Sequence, residues 1–214
     1  MTISTSSNFQ LIRLPHQIPF ANRPFTYRQL NENDVAMMYI ALRRNGKHIA
    51  KHLEWVGDLE GISYARANEL VTNFLLDPLR EHYLFFLGGK FVGHGILVPI
   101  GDRPEHTQVI LWVDEKFTGQ GIGKKITKVL EEIAFQQFGF EAIFYRFDKS
   151  NVASGKIATS LLYFPHCEFE IDSPTKDNSG VWSCRFKLNP EYNLKSSRYQ
   201  NLRGGTDLAT NSFT

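Results

Sequence analysis

The stretch that decides the fold is "VILWVDEKFTGQGIGKKITKVLEEIAF", residues 109–135. It begins with a run that is apolar on both faces, which predicts a strand in the middle of a sheet. Three glycines fall within residues 119–123, and an amphipathic helix with Lys124 and Lys125 in its first turn follows. Such a helix start favours an anionic group. The alternative is an ordinary glycine-rich turn, but the strong strand, the glycines and the two lysines together favour the anion site.

Two familiar phosphate-binding loops do not match this stretch. A dinucleotide fingerprint, G-x-G-x-x-G, would need a third glycine at position 124 or 126, where lysine and isoleucine stand. A P-loop would need glycine at 118 and Ser or Thr at 125, and the sequence has threonine and lysine there. The loop therefore predicts an anion site of another kind.

The composition is that of a globular protein with one domain: 214 residues, 42% hydrophobic, 21% charged, net charge +2. The chain lacks the dense Lys/Arg clustering of nucleic-acid-binding proteins, so nucleic acid is not expected as a partner. The start, "MTISTSSNFQ", does not resemble a signal peptide, and no apolar run is long enough to span a membrane. Cys167 and Cys184 lack metal-ligand spacing, which predicts free thiols, no metal and a cytoplasmic location.

Both ends of the chain are predicted to be flexible segments. Residues 1–20 are polar or irregular, and residues 191–214 are rich in Ser, Asn, Gly and Thr. Such compositions bury too little apolar surface to offset the entropy of ordering. Residues 21–190 are predicted to form a single domain without internal repeats.

Between the ends, the hydrophobic pattern predicts a mixed sheet of the α/β or α+β class. A strand at 25–30 precedes a helix capped by Asn33 or Asp34, and residues 47–61 show no clean period. The remaining elements are a helix from Ser63 to about Pro78, a hairpin at 82–100 with a Gly-Gly turn, a strand at 106–114, a helix ending near Gly139, strands at 141–147, 167–171 and 181–188, and a helix at 151–164.

Residues 109–135 resemble the acetyl-CoA-binding segment of the GNAT superfamily of N-acetyltransferases: an apolar strand, an acid, an aromatic, a glycine motif and a helix. Further matching pieces follow in the family's order: "YRQLNENDV" (27–35), "KHIAKHLEWV" (47–56), "GKFVGHGIL" (89–97) and "NVAS" (151–154). The second is similar to the branch that holds the ribosomal-protein alanine N-acetyltransferases. The resemblance implies a mostly antiparallel sheet of about seven strands, flanked by helices and splayed between the fourth and fifth strands.

The resemblance also implies acetyl-CoA as the cofactor. Loop N–H groups would hold the coenzyme A pyrophosphate, the strand before the loop would run beside the pantetheine arm, and an asparagine would bind the cofactor beyond the opening. The implied cofactor-binding residues are Leu111, Trp112, Val113, Gly119, Gln120, Gly121, Ile122, Gly123, Lys124 and Asn151.

Four positions depart from the family pattern. Thr118 replaces the usual Arg or Gln and is too short to reach the phosphates in the same way, although Gln120 or Lys124 could compensate. Gln108 replaces a glutamate that often acts as the base, and Ala158 replaces a tyrosine acid. Leu162 replaces the usual glycine in "LLYF". The middle two leave the catalytic base and acid open.

The resemblance implies that Ser154 is the group nearest the sulfur and donates a proton to the departing thiolate. The alternative is that Ser154 only hydrogen-bonds backbone N–H groups at the helix N-terminus. His52 is the candidate base, because residues 47–61 should line the acceptor site, and His94 is the second candidate. A simply solvated histidine remains the alternative to a base, and Trp55 could equally be core. The candidate substrate-binding residues are Glu54, Trp55, His94 and Gln108.

The resemblance leads to an N-acetyltransferase that modifies a primary amine, most naturally a protein or peptide N-terminus. The alternatives are a small-molecule amine such as a polyamine, amino acid or aminoglycoside, and a coenzyme A-binding module with little catalysis. A further alternative, an enzyme acting on aminoacyl-tRNA, would need a more basic acceptor face than the segment "KHIAKHLEWVGDLE" provides. Many members of the family pair through their sheets or helices, so the resemblance is compatible with a homodimer.

Overall fold

The computed structural model describes residues 23–53, 59, 61–101, 103–148, 150–161, 167–172 and 181–188. Within these residues the strands are β1 (Phe25–Gln29), β2 (Glu81–Leu87), β3 (Lys90–Ile100), β4 (Arg103–Val113), β5 (Ala142–Asp148), β6 (Cys167–Asp172) and β7 (Val181–Leu188). The helices are α1 (Val35–Ala50), α2 (Tyr64–Leu76), α3 (Ile122–Gln136) and α4 (Val152–Leu161), with single 3-10 turns at Glu32–Asp34 and Glu115–Phe117.

The described strands form one seven-stranded sheet in the order β1-β2-β3-β4-β5-β7-β6. Only β4 and β5 are parallel among these neighbours; the other pairs are antiparallel. Helix α3 is the crossover between the two parallel strands, as a parallel connection requires. The predicted mixed, mostly antiparallel sheet flanked by helices is confirmed.

The sheet opens between β4 and β5. Their pairing runs from His106–Ala142 to Val109–Tyr145, whereas β4 stays paired with β3 up to Val113 and β5 with β7 up to Asp148. In an antiparallel pair, alternate residues direct their N–H and C=O groups away from the partner strand. Alternate residues of 110–113 therefore direct backbone donors and acceptors into the gap beside β5.

Each face of the sheet carries its own core. On one face, α3 lies directly over two glycines of β3: a Cβ on Gly93 or Gly95 would lie 2.7 Å from the side chain of Ile126 or Leu130, respectively. On the other face, α1 and α2 form a second cluster with Trp112 and the remaining apolar residues of that side. Strand β4 thus sits between two cores, which fits its sequence, apolar on both faces.

One local prediction, the residue that caps the first helix, was wrong. Asn31, rather than Asn33 or Asp34, caps the first helical turn: its Oδ1 accepts from Asn33 N–H at 2.9 Å. The Asp34 carboxylate instead accepts hydrogen bonds from Asn31 N–H. It also accepts two from the Arg28 guanidinium, at 2.6 and 2.5 Å. Helix α1 also extends to Ala50, into the stretch 47–61 that shows no clean period.

Three local predictions, the cap of α2, the Gly-Gly hairpin turn and the glycine after α3, are confirmed. Ser63 caps α2 by accepting from Arg66 N–H, and the β2–β3 hairpin turns at Gly88 and Gly89. Gly139 has φ 69° just beyond α3, where Phe140 N–H reaches back to Ala134 O at 3.0 Å. The predicted flexible ends, residues 1–20 and 191–214, and the positions Glu54, Trp55 and Leu162 lie outside the described residues. In the described part of the chain, no helix is long and apolar enough to cross a membrane.

Candidate active site

The glycine loop adopts backbone conformations that favour glycine. Gly119 has φ 73° and Gly121 has φ 74°, both in the left-handed region. Helix α3 begins directly after Gly121, which serves as the N-cap without a side-chain hydrogen bond. Because the N–H groups of a first turn have no carbonyl within the helix to bond, the start of α3 presents donors at the end of β4. Ile122 is 1% exposed and its side chain faces the core.

Helix α4 packs against the start of α3 at Gly123. A Cβ on Gly123 would lie 2.6 Å from Ile157 Cδ1, so a larger residue would force Ile157 to move. The start of α4 is capped by Asn151, whose Oδ1 accepts from Ser154 N–H at 3.0 Å. Since each of the parallel strands β4 and β5 leads into a helix, the two helix N-termini lie at the same edge of the sheet. That edge presents two sets of backbone donors.

Asp114 anchors the beginning of the loop. Its carboxylate is 0% exposed, is paired with Arg44, and accepts from Asn45 Nδ2 and from Lys116 N–H at 3.1 Å each. The Asn45 side chain also accepts from Glu115 N–H at 2.8 Å. Helix α1 is thereby tied to the turn that leads into the glycine loop.

The polar side chains before and within the loop brace it. Thr118 Oγ1 donates to Glu115 O at 2.8 Å, and Gln120 Nε2 donates to Lys116 O at 3.1 Å. Lys125 lies with Nζ 5.4 Å from the centre of the Phe25 ring, and burial lowers its pKa. Of the two lysines, Lys124 is the more exposed.

Strand β4 offers its backbone, not its side chains, to the gap. Leu111 and Val113 pack against the core under α3. Trp112 is 7% exposed and belongs to the core under α1 and α2. A ligand in the gap would therefore contact the unpaired edge of residues 110–113 as an added strand does.

A protein-family model, the acetyltransferase (GNAT) family, matches residues 49–160 of the chain. The chain belongs to the GNAT family. The match covers β4, the glycine loop, α3, β5 and nearly all of α4, which are the elements that build the edge described above. A comparison with curated protein sequences finds no match.

Solved GNAT structures share the fold. RimL, a ribosomal L7/L12 alpha-N-protein acetyltransferase in complex with coenzyme A, aligns with TM-score 0.61 and 18% identity over 79% of this chain and 95% of its own. The aminoglycoside acetyltransferase AAC(6')-Ib with ribostamycin and coenzyme A gives 0.63 and 19% over 81% and 98%. A spermidine N-acetyltransferase chimera, from Vibrio cholerae SpeG and hSSAT, gives 0.57 and 13% over 80% and 99%. At these identities the similarity establishes the fold.

Membership of the GNAT family makes the chain an N-acetyltransferase that uses acetyl-CoA. The residues at the open edge fit this cofactor. The first turn of α3 supplies N–H donors for a pyrophosphate, and the loop is open at Gly119, where an added Cβ would meet no atom within 4 Å. The unpaired backbone of residues 110–113 matches the amides of a pantetheine arm.

Two buried histidines lie beneath Trp112 in the GNAT sheet. His94 is 2% exposed and His82 5%, and His82 Nδ1 lies 3.1 Å from His94 Nε2. Burial lowers the pKa of His82 to about 4 and holds the pKa of His94 well below its usual value. His94, a candidate base and substrate-binding residue from the sequence, is thus a neutral interior side chain. A substrate amine would have to displace Trp112 or Phe74, which pack against it.

The remaining candidates occupy different surroundings. His52 is exposed in the turn after α1, and Ser154 is half-buried in the first turn of α4. Gln108 is half-buried on β4, and strand alternation places it on the same face as Trp112. Ala158 is 3% exposed and packs in the core under α3, so that position supplies no acid. Ser154 lies at the open edge, and His52 follows the C-terminal end of α1.

Sequence reasoning missed three residues that shape the site. Asp114 was noted only as the acid that follows the strand, and its partners Arg44 and Asn45 lie about seventy positions earlier in the chain. An acid directly after a buried strand, 0% exposed, requires such partners. The partners of Asp114 are determined by how α1 packs against the end of β4, and no local sequence pattern predicts that packing.

Proposed function

We propose that this chain transfers the acetyl group of acetyl-CoA to the N-terminal amine of a protein or peptide. The observation that carries the choice of acceptor is a cavity of about 490 Å³ beside the loop, lined by Arg43, Lys47 and Lys51 among others. Polyamines and aminoglycosides carry several positive charges, which such a lining repels. A peptide N-terminus carries one positive charge, and its following residues can be neutral or acidic.

The proposed cofactor contacts follow from the open edge. N–H groups of residues 119–123 would bind the pyrophosphate, with Lys124 adding positive charge at the rim. The backbone of Leu111, Trp112 and Val113 would hydrogen-bond the pantetheine arm. Asn151 would contact the cofactor at the start of α4, where its Oδ1 already accepts from Ser154 N–H.

The bound cofactor supplies an activated acetyl thioester. The chain's own residues would then manage two protons. Ser154, held by the capped first turn of α4, would donate a proton from Oγ to the thiolate that leaves, and Oγ would regain a proton from the nitrogen that becomes the amide. His52, exposed at the end of α1, would take the proton of the ammonium group so that the amine attacks in neutral form.

The experiment is a thiol-release assay with acetyl-CoA and a matched panel of acceptors. The panel contains peptides with a free N-terminus, the same peptides already acetylated, spermidine and an aminoglycoside. Turnover on free N-termini, with none on the acetylated twins, would support the proposal. Turnover on spermidine or the aminoglycoside instead would replace it with a small-molecule acceptor. Coenzyme A binding in titration calorimetry without turnover on any acceptor would favour a binding module.

A further inference from the structure

The cations of the cavity form one stripe along helix α1. Positions 43, 44, 47, 48 and 51 recur at helical spacing and hold arginine, arginine, lysine, histidine and lysine. At 1.5 Å per residue the stripe is about 12 Å long. The described cavity lining contains these five basic residues and one acid, Glu115. The chain as a whole carries a net charge of +2.

The cavity is a formed part of the fold. Gly46 is one of its lining residues, and an added Cβ there would lie 2.8 Å from Leu59 O, so α1 packs closely against Leu59. Gly61 forms another part of the lining. The lining also includes Glu115, which directly follows the buried anchor Asp114. The cavity therefore lies between the end of α1 and the turn that leads into the cofactor loop.

The two arginines of the stripe have different partners. Arg44 is paired with Asp114, which neutralises its charge within the fold. Arg43 donates to Tyr39 Oη at 2.8 Å, and its guanidinium lies 5.9 Å from the centre of that ring. Because the Tyr39 phenol is neutral, this contact orients the Arg43 guanidinium but does not neutralise its positive charge. Arg43 is thus positioned to bind an anion.

We propose that this cavity binds acidic side chains of the acceptor, so that the preferred substrate is a peptide with Asp or Glu residues after its N-terminus. The proposal rests on the proposed peptide-acceptor function. Carboxylates complement the arginine and lysine lining. A nucleic acid would need a basic surface that extends along its backbone, whereas this stripe is only about 12 Å long.

The test measures binding and turnover separately. A fluorescent peptide with acidic residues at positions two to five, acetylated at its N-terminus, is titrated with the full chain and coenzyme A and followed by anisotropy. Its twin has Asn and Gln at those positions. We expect the acidic peptide to bind about tenfold more tightly than its twin, and the difference to shrink as salt screens the charges. The free-amine forms of both peptides are compared for KM and kcat.

The variants remove positive charge from the cavity. Lys47→Gln/Lys51→Gln should raise the Kd of the acidic peptide and its KM about fivefold, with kcat and coenzyme A affinity unchanged. Lys47→Arg/Lys51→Arg should retain wild-type binding, which separates charge from any effect on folding. Lys90→Gln/Arg80→Gln removes the same charge from other exposed positions and should leave binding unchanged.

Each other outcome has a distinct meaning. Equal binding of the two peptides would overturn the acidic-acceptor proposal even if both are acetylated. A loss of coenzyme A affinity in the Lys47→Gln/Lys51→Gln variant would assign the cations to the cofactor and also overturn it. Displacement of the acidic peptide by a short RNA at lower concentration than by polyglutamate would overturn it in favour of nucleic acid. Tight acidic-peptide binding without acetylation would support the anion site and contradict the proposed peptide-acceptor function.

Discussion

Gly123 of α3 and Ile157 of α4 touch so closely that a Cβ on the glycine would lie 2.6 Å from Ile157 Cδ1. This contact sets how near the two helix N-termini come at the open edge of the sheet. The Gly123 N–H belongs to the first turn of α3, the turn that we expect to bind pyrophosphate. The helix contact and the proposed cofactor contact therefore depend on the same residue.

Gly123→Ala should weaken both folding and coenzyme A binding. The added methyl group cannot stay 2.6 Å from Ile157 Cδ1, so Ile157 or the loop has to shift, which should cost about 1 kcal/mol of unfolding free energy. The coenzyme A Kd should rise about fivefold. Urea unfolding and calorimetric titration measure the two effects.

A second substitution tests the cause. In Gly123→Ala/Ile157→Val the Cδ1 atom is gone, and the next atom, Ile157 Cγ1, lies 3.5 Å from the added Cβ. Coenzyme A affinity should return towards the wild-type value. Gly155→Ala, in the neighbouring helix, meets its nearest atom at 3.4 Å and should be neutral or slightly stabilising. No rescue by Ile157→Val would contradict a role for this contact.

Asp114→Ala should destabilise the protein by about 2 to 4 kcal/mol. The carboxylate is buried, and its loss leaves Asn45 Nδ2 and Lys116 N–H without their acceptor. The loop start should also loosen, so coenzyme A binding should weaken. The control is Glu69→Ala, which breaks the exposed pair with Arg66 and should cost under about 0.5 kcal/mol. Equal urea midpoints for the two variants would contradict the anchoring role of Asp114.

Ser154→Ala and Asn151→Ala should separate chemistry from folding. Asn151 Oδ1 accepts the backbone N–H of Ser154, so Asn151→Ala removes the cap of α4 and should cost about 1 kcal/mol of stability. Ser154→Ala keeps that hydrogen bond intact. If the Ser154 hydroxyl donates to the thiolate, kcat should fall about a hundredfold with the melting temperature unchanged. An unchanged kcat would assign Ser154 to the helix alone.

The order of the strand, the glycine loop and the helix could be predicted from the sequence, because each of these elements has a pattern within its own few residues. Residues 109–135 contain a strand apolar on both faces, glycines that accept φ near 73°, and a helical stripe. The end of α1 was missed for an equally local reason. Its last turns carry basic side chains on a solvent-facing stripe, and these hide the apolar period of Leu42 and Ile49.

The contacts that hold the site in place could not be predicted in this way. Asp114 and Asn45 are 69 positions apart in the chain and meet only because α1 packs against the end of β4. Alternation correctly places His94 in a strand, but whether its ring faces a cleft or a core depends on Phe74 and Trp112. The cavity on α1 likewise forms only where Gly61 and Glu115, from other parts of the chain, come beside that helix.

The paired histidines should make stability depend on pH. Burial and, to a smaller extent, the charge of Arg80 lower the pKa of His82 from the usual 6.5 to about 4, with Asp77 opposing the shift. Between these values the unfolded chain binds a proton that the folded chain excludes, so stability falls as the pH falls. For His82 alone, the free energy of unfolding should drop by roughly 2 to 3 kcal/mol between pH 7 and 4.5. His94 acts in the same direction.

Urea unfolding at pH 7, 6, 5 and 4.5 measures this loss. The variant His82→Leu/His94→Met replaces both partners of the 3.1 Å contact, so neither is left unpaired in the core. It should lose less stability over the same range, by at least the amount assigned to His82. His52→Gln, at an exposed position, should follow the wild type. If the double variant and the wild type lose stability in parallel as the pH falls, the acid sensitivity arises from other groups.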